Sequence, residues 1–207
     1  MLRIGLTGGI ASGKSAVGEI FVKLGAYLIQ SDAIAHDLMK PARPVYDEVV
    51  RHFGREILNS DGTINRPRLA EAAFAKRSGA PARIQELNEI VHPAVIEYEN
   101  NWMDEIARRD PNAIAIVEAA LILEAGAAGR FDYLIVVTCS PEQRVQRFAQ
   151  RTGISEEAAR PEVSRRMAAQ MPDAEKIKMA DFAIDNSGSL TDTEQQVRRV
   201  FAALRPA

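Results

Sequence analysis

Three observations predict an α/β fold with a parallel sheet for this 207-residue chain. Apolar runs with strand character recur at Arg3–Thr7, Ala26–Ile29, Ala113–Val117, Tyr133–Thr138 and Phe182–Ile184, with helical patterns between them. That alternation implies five parallel strands covered by helices on both faces. Next, a glycine-rich turn, Gly8 to Ser15, follows the first run directly and opens a helical pattern. Finally, about 80 residues separate the second and third runs, far more than one crossover helix needs, so they must form an inserted helical lobe.

The turn reads Gly8-Gly9-Ile10-Ala11-Ser12-Gly13-Lys14-Ser15 and fits G-x-x-x-x-G-K-[ST] without a mismatch. Glycines let backbone N–H groups turn inward around a phosphate chain, and the following helix adds the positive end of its dipole. Gly9, Ile10, Ala11, Ser12, Gly13, Lys14, Ser15 and Ala16 are therefore the expected run for binding a nucleoside triphosphate. Lys14 is expected to neutralise the β and γ phosphates, and the Ser15 hydroxyl to ligate Mg²⁺. Ala16, Val17, Ile20, Phe21 and Leu24 recur at helical spacing, and Gly25 ends that run. The predicted architecture is the three-layer sandwich of P-loop NTPases. Its core comprises 1–37, 112–139 and 180–207, with a helical acceptor-binding insertion at 38–111 and a lid at 140–179.

Within the insertion, Asp61-Gly62 marks a turn, and Ile84, Leu87, Ile90 and Val91 supply a helical stripe expected to end at His92-Pro93. In the lid, Ser140-Pro141-Glu142-Gln143 has the form of a capping box with proline at the first helical position, and Gly153 closes that helix. Pro161 is expected to kink the lid or begin its second helix. Thr191-Asp192-Thr193-Glu194 gives a capping signal before the last helix.

With 26 basic and 28 acidic residues the net charge is −2, so no overall field recruits nucleic acid or an anionic membrane. The longest apolar stretch, Ala113 to Ala128, contains Glu118, Glu124 and Gly126 and is too short and too charged to span a bilayer. No targeting segment is read, and a cytoplasmic protein is expected. The single cysteine, Cys139, fits a reducing compartment and a buried position at a strand end. His36, His52 and His92 lack metal-site spacing, so no zinc is expected. The sequence leaves the oligomeric state open.

Several polar residues are placed to do chemistry. Asp32 follows the second strand, where ligands gather in parallel sheets; it is a candidate for deprotonating an acceptor hydroxyl or, with Ser31, for capping a helix near Ala33. Glu118 ends the third strand, a position suited to holding a metal through water or to an ion pair, and Glu124 ranks behind it. Arg144, Arg147 and Arg151 share one helix face, which either closes over a triphosphate or is solvated. Arg160, Arg165, Arg166, Lys176 and Lys178 add further basic residues along the lid.

The order of segments resembles the dephospho-CoA kinase family. It rests on the Ile4–Ser15 run, Ser31-Asp32-Ala33-Ile34-Ala35-His36, Asp61-Gly62 with Arg66, His92-Pro93 and Leu121-Ile122-Leu123-Glu124. Ser140-Pro141-Glu142, the arginine helix, Ala168-Ala169-Gln170 and the run from Ala180 to Gly188, with its Ile-Asp-Asn-x-Gly, complete the set. The resemblance implies transfer of the ATP γ-phosphate to the ribose 3′-hydroxyl of dephospho-coenzyme A, the last step of coenzyme A biosynthesis. It implies Asp32, Lys14 and Arg147 as catalytic residues, and Arg147 and Arg151 as further ATP contacts. Asp32, His36, Arg66 and His92 would be acceptor-binding residues, and Ser15 and Glu118 would hold Mg²⁺, the latter through water.

The chain departs from the family's pattern at Gln30-Ser31-Asp32, where Asp-Ala-Asp is usual, and at Glu118-Ala119-Ala120, where Asp-x-Pro is common. Ala16 also stands where threonine is frequent. A nucleoside or nucleoside monophosphate kinase shares loop, lobe and lid and is the alternative enzyme reading. A regulatory GTP switch lacks its Asn-Lys-x-Asp and Asp-x-x-Gly signals here. A nucleotide-binding scaffold without catalysis predicts ATP binding without turnover.

Overall fold

A computed structural model describes residues 1–74 and 83–205. Five strands form one sheet in the order β2-β3-β1-β4-β5, and every pairing is parallel. They are β1 (Leu2–Gly8), β2 (Tyr27–Gln30), β3 (Ile114–Glu118), β4 (Tyr133–Thr138) and β5 (Phe182–Asp185). The central strand β1 therefore delivers the glycine-rich turn to the middle of the sheet's C-terminal edge. All five expected strands are present, each within one or two residues of its sequence position.

One sheet face packs on α1 (Lys14–Lys23) and α9 (Leu190–Leu204). Ile4, Leu6, Ile116, Ile135 and Ile184 from the strands meet Val17, Ile20, Phe21, Val197, Val200 and Phe201 from the helices. On β4, Leu134 and Val136 belong to a second cluster with Ile122 and Leu123, flanked by Phe131, Met171 and Ala180. Buried surface of this kind contributes about 25 cal/mol per Å² and sets the framework on which the polar groups sit.

The described residues divide into two compact units, 1–30 with 103–205 and 31–74 with 83–102. The second unit contains α2 (Ser31–Leu38), α3 (Pro44–Phe53), α4 (Arg66–Phe74) and the first part of α5 (Ile84–Arg109). Val45, Val49, Phe53, Ile57, Leu69, Val91 and Val95 are buried. Arg83 lies over the Phe53 ring, 4.4 Å from its centroid. The Asp61-Gly62 turn is present: Gly62 has φ +83°, and the Asp61 carboxylate accepts from the Thr63 amide at 2.9 Å.

Three local expectations are corrected. Helix α5 does not stop at His92-Pro93 but continues to Arg109 with Pro93 inside it. Pro93 removes one ladder bond, while Val91 and Val95, buried on either side of it, keep the helix packed. The last helix is capped by Ser189, whose hydroxyl accepts from the Asp192 amide while Asp192 reaches back to Ser189, two residues before the expected signal. Pro161 lies inside α7 (Glu156–Ala168), which Ser155 caps, and does not begin it. Helix α6 (Pro141–Thr152) begins and ends as expected, with the Ser140 hydroxyl accepting from the Gln143 amide and Gly153 closing at φ +70°, but the Gln143 side chain does not complete a capping box and donates to the Ser187 carbonyl at 2.7 Å. A short helix, α8 (Asp173–Lys178), leads back to β5.

Candidate active site

The turn between β1 and α1 sets the geometry. Its residue Ala11 adopts φ +51°, a left-handed conformation uncommon outside glycine, and Gly13 adopts φ +91°. Lys14, the first residue of α1, folds back so that Nζ donates to the carbonyls of Gly8 at 3.0 Å and Gly9 at 3.2 Å. Ser15 Oγ donates to Glu118 Oε1 at 2.8 Å, joining the turn to the end of β3. The other carboxylate oxygen accepts from Gln30 Nε2 at 2.9 Å, and Gln30 and Glu118 are register partners at the ends of β2 and β3.

Helix α6 supports the turn from its other side. Arg147 Nη1 donates to the Ser12 carbonyl at 3.1 Å and Nη2 to that of Asn186 at 2.9 Å. Asn186 Nδ2 donates to the same Ser12 carbonyl at 3.0 Å, and its Oδ1 accepts from Thr193 at 2.9 Å. A Cβ on Gly13 would lie 2.0 Å from Asn186 Nδ2, so glycine is needed there for space as well as for φ.

Arg144 is buried and does not face solvent with its neighbours. Its guanidinium donates to the carbonyls of Cys139 and Ile10, each at 3.3 Å, and pairs with Asp173 at the start of α8. Gly9 leaves room for it, since a Cβ there would fall 2.0 Å from Arg144 Nη1. Arg151 stacks over the Phe148 ring at 5.5 Å. Arg165 and Arg166 bind Glu162, holding its carboxyl down at about 2. Lys176 is buried against Glu124 at 2.7 Å, which accounts for Glu124. Burial pushes the Cys139 thiol up, against the pull of Arg144 and Arg147.

In the second unit, α2 begins at Ser31, one to two residues before the expected start, and Asp32 lies in its first turn. The Ser31 hydroxyl donates to Glu99 at 2.6 Å instead of capping. His36 is held below the usual histidine range by partial burial and by Arg66, while Asp32 pulls the other way. Asp32, His36 and Arg66 thus form one electrostatic group, whereas His92 is exposed on α5.

A family model described as dephospho-CoA kinase matches residues 2–192. The dephospho-CoA kinase of Aquifex aeolicus is 39% identical over 204 residues, covering 99% of this chain and 98% of that one. The chain belongs to the dephospho-CoA kinase family. Among solved structures, one from Thermus thermophilus superposes with a TM-score of 0.78 at 33% identity, covering 99% of this chain and 98% of that one. The dephospho-CoA kinase of Campylobacter jejuni gives 0.61 at 25%, covering 98% and 97%. Membership makes this an ATP-dependent kinase with a P-loop fold.

The structure also gives Gln170 and Arg144 places around the loop that the sequence did not assign. Gln170 Oε1 accepts from the Ile10 amide at 3.0 Å, and only the Ala-Ala-Gln segment hinted at it. Arg144 stands four residues before Phe148, on the edge of the apolar stripe Val145, Phe148 and Ala149. That spacing was the available sign that it points inward.

Proposed function

We propose that this protein transfers the γ-phosphate of ATP to the ribose 3′-hydroxyl of dephospho-coenzyme A. The observation that carries the donor half is the Ser15–Glu118 pair at the mouth of the turn, with Lys14 beside it. Phosphoryl transfer is mostly positioning and electrostatic stabilisation, so a rigid anion cradle is the central requirement.

The Ser15 hydroxyl and Glu118 carboxylate are hard oxygen donors, the set that suits Mg²⁺. Bound there, Mg²⁺ would neutralise charge on the terminal phosphates. Lys14 exchanges its carbonyl partners for phosphate oxygens, and its three donors follow the migrating group. Arg147 holds the Ser12 peptide and adds a positive charge behind the loop. Asp32 accepts the proton of the acceptor hydroxyl, while His36 and Arg66 orient the acceptor. At neutral pH the lowered His36 is uncharged and serves as a hydrogen-bonding group, leaving Arg66 to face an anionic acceptor. His92 and Arg151 are assigned to acceptor and nucleotide respectively on the family resemblance alone.

A net charge of −2 and the buried lone cysteine support a cytoplasmic protein working on small molecules and not on nucleic acid or membrane. No helix among the described residues is long and apolar enough to cross a membrane.

An acceptor panel tests the reading. ADP release from Mg-ATP is expected with dephospho-coenzyme A and not with nucleoside monophosphates; the opposite preference overturns it. Asp32→Asn is expected to lower kcat by roughly 10²- to 10⁴-fold with ATP affinity retained, the range of a lost general base. Full activity in that variant would return Asp32 to a structural role.

A further inference from the structure

Ile10 is held at every point by the segment between β4 and β5. Its side chain is buried with Val145, Phe148, Ala149, Ala159 and Val163 of α6 and α7. Its carbonyl accepts from Arg144 Nη1 at 3.3 Å, and its amide donates to Gln170 Oε1 at 3.0 Å. The next residue, Ala11, carries the left-handed φ of +51°. For a residue with a Cβ that conformation is unfavourable and persists only where its surroundings over-determine it.

We infer that Gln170 is a positioning residue for the nucleotide phosphates, acting through the loop: with Arg144 it clamps the Ile10 peptide and so fixes the strained turn at Ala11 that aims the loop's amides inward. The geometry is that of a two-handed grip, one lid side chain on each polar group of a single residue. Arg144, on α6, is in turn fixed by Asp173, and Gln170 lies three residues before Asp173, so both hands are anchored to the segment that returns to β5. The return segment is anchored separately by Lys176 on Glu124, whose carboxylate also accepts from the Met171 amide at 3.0 Å. Residues 170–178 therefore act as a fixed strut under the loop. Without Gln170 the Ile10 peptide loses one hand, and Ala11 relaxes toward ordinary backbone angles. The loop then has to be re-formed each time a nucleotide binds.

This inference rests on the reading of Gly8–Ser15 as the nucleotide site, and the experiment separates the two. ADP binding is measured by calorimetry, without acceptor, for the wild type, Gln170→Ala and Gln170→Asn. A roughly 5- to 20-fold weaker ADP affinity is expected in Gln170→Ala, the range for an amide deprived of its acceptor in a half-buried place. The Michaelis constant for dephospho-coenzyme A is expected to move less than twofold. The discriminating arm repeats Gln170→Ala in an Ala11→Gly background. Glycine adopts a positive φ without strain, so the affinity lost on removing Gln170 should shrink to under threefold there. Equal losses in both backgrounds, or none in the wild-type background, overturn the clamp. Wild-type protein that binds no ADP overturns the nucleotide reading and the clamp with it. Gln170→Asn, one methylene short, is expected to fall between and serves if the alanine variant does not fold.

Discussion

Arg144→Ala should destabilise the protein by about 3 kcal/mol, a figure assembled from the groups it touches. The guanidinium is buried, pairs with Asp173, and donates to two carbonyls at 3.3 Å. Breaking a buried ion pair typically costs 3–5 kcal/mol, but Asp173 keeps 32% of its side chain exposed and can rehydrate, so about 2 kcal/mol is the fair share. The two long hydrogen bonds add about 0.5 kcal/mol each. In a chain of this size about 3 kcal/mol lowers the unfolding midpoint by roughly 6–12 °C, well within reach of calorimetry. An asymmetry gives the sharper check. Asp173→Asn leaves a cation with only 2% of its side chain exposed, so it should cost at least as much as Arg144→Ala, although Asp173 is the more exposed partner. Arg144→Leu combined with Asp173→Asn should then be milder than Asp173→Asn alone. A midpoint shift under 2 °C for Arg144→Ala, with turnover lost instead, would place Arg144 on the nucleotide and refute the packing argument.

Gly13→Ala combines a φ of +91° with a Cβ 2.0 Å from Asn186 Nδ2, so ADP affinity is expected to fall roughly 10- to 100-fold, measured by calorimetry. Adding Asn186→Ala should relieve the overlap but not the backbone strain; full recovery would show that φ is unimportant there. His36 should titrate below its ordinary 6.5 in an NMR series, moving up in Arg66→Ala and further down in Asp32→Asn. A group whose folded value is lowered contributes stability that is present above its unfolded value and lost as pH falls. The His36 contribution should accordingly fade as pH drops through 6.5 toward the folded value. An unmoved resonance in both variants would mean that the three side chains do not sense one another.

What the sequence revealed was local in origin. The strands announce themselves through apolar runs, the loop through glycines placed before Lys14 and Ser15, and α6 through Ser140 at one end and Gly153 at the other. What stayed hidden depends on partners distant in the chain. His92-Pro93 looks like a helix end because a proline costs a ladder bond, yet Val91 and Val95 are buried across it and packing outweighs the local preference. Thr193 looked like part of a cap, but its hydroxyl turns inward to Asn186, and Ser189 caps in its place. Three arginines on one helix face look alike in sequence. In the structure Arg144 is buried on Asp173, Arg147 grips the loop, and Arg151 lies on Phe148.

Gln30 and Glu118 are one feature, because the residues are register partners on adjacent strands. Two carboxylates opposite one another on neighbouring strands repel, so one tends to hold a proton unless a cation lies between them. Here the pair is an amide and a carboxylate, and Gln30 Nε2 donates to Glu118 Oε2 at 2.9 Å. A single negative charge remains, fixed at one oxygen by Gln30 and aimed with the other at Ser15 Oγ. The glutamine supplies in hydrogen bonding what a second acid would supply in charge. Changing either residue alone therefore breaks a matched pair: Glu118→Asp draws the carboxylate back from Ser15, and Gln30→Asp sets two acids face to face.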